Sequence, residues 1–111
     1  MKYFLSILAL FSNFLFSNNF DVEQYQLENG LTVMLNEDKE ASGVYGVVIV
    51  KGGGKQDPAE ATGIAHYLEH MLFLGTQKYP EVGSYKKYLD EHSGASNAYT
   101  SGNITNYFFQ V

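Results

Sequence analysis

From Tyr25 to Val111 the chain alternates between short stretches with a hydrophobic period of two and two stretches with a period near 3.6. Tyr25-Gln-Leu-Glu-Asn-Gly-Leu-Thr-Val-Met-Leu35 sets alternating apolar residues on either side of Asn29-Gly30 and predicts a hairpin with a two-residue turn. Val44-Tyr-Gly-Val-Val-Ile-Val-Lys51 is a β-branched run suited to a central strand buried on both faces. The glycines Gly52, Gly53 and Gly54 interrupt it, and Pro58 stands where a helix can start. Helical spacing then predicts a helix from about Ala59 to Leu74 that stops at Gly75. A second helix runs from Glu81 to His92, with Tyr85, Tyr88 and Leu89 at helical spacing and Gly94 closing it. Ser96–Ser101 and Ile104–Val111 read as two more strands joined by Gly102-Asn103. The order β-β-β-α-α-β-β implies an α+β fold, with helices packed on one face of a mainly antiparallel sheet.

The opening Met1-Lys-Tyr-Phe-Leu-Ser-Ile-Leu-Ala-Leu-Phe-Ser-Asn-Phe-Leu-Phe-Ser17 has one basic residue followed by an apolar run. Its length suits the core of a secretory signal and falls short of a membrane span. Residues 1–18 are therefore expected to be a signal peptide, although Leu15 is large for its place before a cleavage point after Ser17. Residues 19–111 are expected to be the N-terminal part of a domain, on a protein exported to the periplasm or secreted, with no stable membrane span. The final apolar strand runs to Val111 without a cap or turn, which predicts a truncated reading frame or a fragment.

Composition narrows the chemistry. A chain of 111 residues that is 45% hydrophobic and 15% aromatic is one globular domain at most. A net charge of −5 with no cluster of Lys or Arg excludes nucleic acid as a partner. With no cysteine, disulfides, thiolate zinc sites and cysteine nucleophiles all drop out. Any metal must rest on His and carboxylate ligands, the set that suits a hydrolytic site.

Such a set lies in Gly63-Ile-Ala-His-Tyr-Leu-Glu-His-Met-Leu-Phe-Leu-Gly75, whose only side chains that are not plainly apolar are His66, Tyr67, Glu69 and His70. A helix apolar nearly all round is expected in a protein interior. At 100° per residue, His70 falls about 40° from His66 and Glu69 about 60° to the other side, so the three project from one face. Two neutral imidazoles one turn apart make half a zinc site, and a neighbouring carboxylate can handle a proton. The order His-x-x-Glu-His is the inverted zincin motif. In isolation the motif is equally compatible with two core histidines bonded to main-chain carbonyls. Gly52-Gly53-Gly54-Lys55 lacks the spacing of a phosphate loop and reads as a strand-to-helix turn. His92 ends a polar helix, where a cation complements the terminus, and is not counted as a ligand.

Several further blocks lie in order around the motif: Asp57-Pro58, Lys78-Tyr79-Pro80, Ser96-Asn-Ala-Tyr-Thr-Ser101, and ahead of them Leu27-Glu-Asn-Gly-Leu-Thr-Val33. Together they resemble the N-terminal domain of the insulinase/pitrilysin family of zinc metallopeptidases. The resemblance implies a zinc-dependent metalloendopeptidase with Zn2+ as cofactor, His66 and His70 as metal ligands, and Glu69 as the base that activates a zinc-bound water. It implies that Ser96–Thr100 is a sheet edge receiving a peptide substrate as an added strand, with Asn97, Ala98 and Tyr99 touching the peptide backbone. It also implies a third ligand, a Glu on a later helix beyond Val111, and a second homologous half or partner subunit that closes the chamber. Glu81, Asp90 and Glu91 are expected on a solvated face instead. By itself this segment is expected to bind zinc weakly and cleave little. The alternative is a truncated or inactive relative that binds peptide or a partner subunit without catalysis.

Overall fold

The structure, a computed structural model, describes residues 21–111, so the leader expected over residues 1–18 lies outside the described residues. The chain divides into two compact units, one ending at Glu40 and one spanning Ala41–Val111. In the first, β1 (Val22–Gln26) pairs antiparallel with β2 (Thr32–Asn36), with Gln26 opposite Thr32. The expected hairpin is present but its loop is one residue longer than expected. The Leu27 amide still bonds the Leu31 carbonyl at 2.9 Å, which leaves Glu28, Asn29 and Gly30 in the loop. The Gly30 amide closes a turn onto the Leu27 carbonyl at 2.9 Å, and Gly30 itself takes φ 87°. A three-residue loop ending in a left-handed glycine meets the strand twist as well as a two-residue turn does.

The second unit is a three-stranded antiparallel sheet with two helices. Its strands are β3 (Tyr45–Val50), β4 (Ala95–Thr100) and β5 (Thr105–Gln110), in the order β3-β5-β4. The expected Gly102-Asn103 turn joins β4 to β5, with the Ser101 amide 2.8 Å from the Ile104 carbonyl. The register sets Val50, Thr105 and Thr100 in one row and Val48, Tyr107 and Ala98 in the next, all on one face. The helices α1 (Ile64–Met71) and α2 (Ser84–Glu91) lie on that face. Phe73, just past α1, bridges them: its ring centroid is 6.3 Å from Tyr107 on β5 and 6.0 Å from Tyr85 on α2. On the same face a Cβ at Gly46 would collide with the Phe109 ring, so glycine there makes room for an aromatic across the ladder.

Both helices are shorter than their hydrophobic periods predict. Gly63 sits at φ 90° and Gly83 at φ 85°, and each helix begins only after its glycine. The stretch from Gly54 to Ala61 forms two 3-10 turns instead of the first turn of a long helix. A glycine in this position brings no side chain to cap the exposed amides of the first turn. For α1 the cap comes from outside: Asp57 accepts the Gly63 amide at 2.6 Å and the Ala65 amide at 3.0 Å, one on each carboxylate oxygen. At the end of α2 the left-handed residue is Ser93, at φ 54°, and Gly94 is needed for space against Leu89 and Val111. The glycine-rich turn is structural, as expected. Its Gly54 and Lys55 amides bond the Ser101 and Gly102 carbonyls at 2.9 and 2.8 Å, docking it on the β4–β5 turn.

Strand β3 corrects another expectation. It is an edge strand among the described residues, and Tyr45, Val47, Val48, Ile49 and Val50 are each at least 45% exposed. Among the described residues only β5 pairs with it. Leu89 is the one buried apolar side chain among the described residues. No helix among them is long and apolar enough to cross a membrane.

The external cap yields a prediction. Asp57→Ala should cost about 0.5–2 kcal/mol of stability, the usual range for a lost N-cap, with Asp57→Asn costing less. Amide exchange at Gly63 and Ala65 should rise in the alanine variant. Unchanged exchange at both would show that α1 holds its first turn without Asp57.

Candidate metal centre and sheet edge

On α1, His66 and His70 are one turn apart and turn their Nε2 atoms toward each other, 3.1 Å apart, with ring centroids 4.7 Å apart. Both rings are exposed, and neither makes a hydrogen bond to the main chain among the described residues. The alternative of two core histidines held by carbonyls is therefore not what the fold builds. Two nitrogens about 2.0–2.1 Å from a common zinc, and separated as these are, subtend an angle near 100°, compatible with tetrahedral coordination. Without an ion, the same approach is satisfied by one imidazole N–H donating to the other ring. The pair thus fits half the ligand set of a catalytic zinc. Among the described residues no group of three His or carboxylate side chains converges, so Glu69 does not complete the set.

Glu69 has a different environment. It is 5% exposed, while the apolar residues around the rest of α1 stay open: Ile64 is 49%, Tyr67 64%, Leu68 56% and Leu72 55% exposed. This reverses the expectation of a helix submerged in an apolar interior. A three-stranded sheet covers one side of α1, and the side it covers carries the carboxylate. Glu69 Oε2 accepts a short hydrogen bond, 2.5 Å, from the Thr100 hydroxyl on β4. Tyr107 is near enough to feel Glu69: burial first, and the carboxylate charge second, push its phenol above the ordinary value.

Strand β4 is the other edge of the sheet among the described residues, opposite β3. Antiparallel pairing alternates, and the Ser101–Ile104 bond fixes its phase. Asn97 and Tyr99 therefore turn their main-chain groups toward β5, while Ser96, Ala98 and Thr100 present theirs to the open edge. The Ala98 amide is covered by the side chain of its own neighbour, the Asn97 oxygen, at 2.9 Å. Asn97 and Tyr99 side chains lie on the face away from the helices. The remaining candidates behave as expected. Asp90 and Glu91 pair with Lys86 and Lys87 at 2.7 and 3.9 Å on an exposed helix face. His92 Nδ1 sits 2.7 Å from the Tyr88 carbonyl, where it serves the end of α2.

Sequence reasoning passed over two residues of this region individually, Asp57 and Thr100. Asp57 acts from across a short loop and Thr100 from another strand, and no periodicity links either to the helix.

Comparison with known proteins places this geometry. The pattern of Insulinase (Peptidase family M16) matches residues 32–111. Human insulin-degrading enzyme is 45% identical over 86 residues, covering 78% of this chain and 8% of that protein. The A-factor-processing enzyme of Saccharomyces cerevisiae is 42% identical over 86 residues, again 78% of this chain and 8% of the relative. A Schizosaccharomyces pombe relative described by name as a zinc protease is 46% identical over 96 residues. The crystal structure of pitrilysin superimposes with a TM-score of 0.80 at 36% identity, over 86% of this chain and 10% of that one. The chain thus spans about a tenth of the length of the relatives it matches. On the matched pattern, the identities and the shared α+β fold, this chain belongs to the insulinase family of peptidases, peptidase family M16.

Proposed function

We propose that this chain is the N-terminal segment of a zinc-dependent metalloendopeptidase. One observation carries the reading: the two exposed imidazoles meet at 3.1 Å on the helix whose intervening carboxylate is fixed inward. His66 and His70 hold the metal through Nε2, so each keeps its remaining proton on Nδ1. A zinc ion supplies Lewis acidity there, acidifying water and polarising a carbonyl. Glu69 takes the proton of the attacking water and returns it to the leaving amine. The peptide lies along the open edge of β4 and pairs with the main chain of Ser96 and Ala98. Its pairing displaces the Asn97 oxygen from the Ala98 amide and frees that side chain to contact the peptide, while Tyr99 contributes from the outer face. Strand addition of this kind gives affinity with little side-chain preference and selects extended peptides over folded proteins. Two ligands form an incomplete set, so the third, a carboxylate, comes from outside the described residues, as does the second half or partner subunit that closes the site. The protein is exported, and residues 1–18 are removed on the way.

A second reading has its own observation. Among the described residues no third ligand converges on the histidines. The isolated segment therefore binds peptide or a partner without cleaving.

Three measurements separate these readings in the complete polypeptide. His70→Ala should lose bound zinc, measured by atomic absorption, because His66 and one carboxylate fall short of the three protein ligands a catalytic zinc takes. Glu69→Gln should keep its zinc and lose peptide hydrolysis by at least about a hundredfold, the lower range for removing a general base. Retention of activity in that variant would remove Glu69 from its role. A peptide N-methylated at the bonds facing Ala98 should lose affinity where the same peptide methylated at alternate bonds does not. Equal losses would mean that the peptide does not add to β4 as a strand.

A further inference from the structure

We propose that Thr100 is a positioning residue for the Glu69 carboxylate, and that it ties the base to the strand that receives the peptide. The proposal rests on the function proposed above. Thr100 has a single hydroxyl proton and two acceptors in range: Glu69 Oε2 at 2.5 Å and Thr105 Oγ1 at 3.5 Å. The shorter contact is to the ionisable oxygen, and charge-assisted bonds are the stronger kind, so the proton goes to Glu69. Thr105, directly across the ladder, gives its own proton to the Gly52 carbonyl at 2.9 Å. It is itself buried, at 4% exposure, and so fixes the end of β4 beneath Thr100. The carboxylate is thereby held at one oxygen by a donor on a rigid strand, and Oε1 has no protein hydrogen-bond partner among the described residues.

Two features make this more than packing. Glu69 is buried on the side of α1 that meets the sheet, and a buried carboxylate without a donor is costly. Without Thr100 it would swing to find one. The main chain of Thr100 also belongs to the open edge of β4, so a peptide pairing with that edge stiffens the residue that holds the base. Substrate binding and base orientation then share one residue, while the proposed metal ligands His66 and His70, on either side of Glu69 along α1, are untouched.

The test compares Thr100→Val, which keeps the branched shape and removes the hydroxyl, with Thr100→Ser, which keeps the hydroxyl, in the complete zinc-loaded polypeptide. Thr100→Val should lower kcat by about ten- to a hundredfold, as loss of an orienting partner does, with KM within about twofold and bound zinc unchanged. Thr100→Ser should recover most of kcat. Against a Glu69→Gln background, Thr100→Val should leave peptide affinity, read by fluorescence anisotropy, where it was. Hydrolysis that depends on Glu69 but is indifferent to Thr100→Val overturns this proposal and leaves the function standing. Equal loss in the Ser and Val variants makes Thr100 a packing residue and overturns it too. So does a fall in peptide affinity in the Gln background, because the hydroxyl would then serve the peptide directly. A zinc-loaded wild type that hydrolyses no peptide overturns both.

Discussion

A buried carboxylate with a single side-chain donor constrains this fold. Glu69 faces the sheet from the covered side of α1, and its one protein donor among the described residues is the Thr100 hydroxyl at the end of β4. That bond fixes the rotation of the helix about its axis. Once Glu69 points down, His66 and His70 must emerge together at the exposed rim, because their angular offsets from it are set by helical geometry. The Asp57 bonds to the Gly63 and Ala65 amides fix the helix along its length. Rotation and translation are thus set by two separate polar contacts, with little help from apolar packing.

Much of this was legible in the sequence because it is local. The spacing His66-x-x-Glu69-His70 determines the convergence of the imidazoles whatever surrounds them, and the fold bears that out at 3.1 Å. The hairpin at Asn103 was legible for the same reason, since glycine followed by asparagine fills a two-residue turn. What was not legible is where the helices start. A run of apolar residues from Ala59 onward has helical spacing, but Gly63 takes the left-handed region and Asp57 supplies the cap from across a loop. The hydrophobic period carries no trace of either. Gly30 shows the limit at smaller scale: Asn29-Gly30 marks a turn in both cases, but whether the loop holds two or three residues depends on the strand twist it closes.

The sequence also overstated burial, for a physical reason. Composition and periodicity report which residues could be covered, whereas coverage depends on the layers present. Val47 and Ile49 point to one face of β3, Val48 and Val50 to the other, and all four remain open. A strand with apolar residues on both faces is the pattern of a sheet interior. The same holds for α1, whose outer face carries Tyr67, Leu68 and Leu72. On the described residues alone, a single apolar side chain is buried, and polar contacts hold the arrangement.

Those contacts also order the chemistry by distance along the chain. Two of the metal ligands of the proposed site come from one helical turn and need no tertiary structure beyond the turn itself. Fixing the Glu69 carboxylate takes a partner 31 residues away, on the sheet. No third ligand converges among the described residues, so the proposed site calls for one from outside them. Each step adds an interaction that a more local piece cannot make, so metal contact, base orientation and full coordination depend on successively larger parts of the fold. A segment with the first two should hold the histidine pair and the inward carboxylate in place while remaining a weak metal site. Affinity for the ion, in this arrangement, reports how much of the fold has assembled around α1.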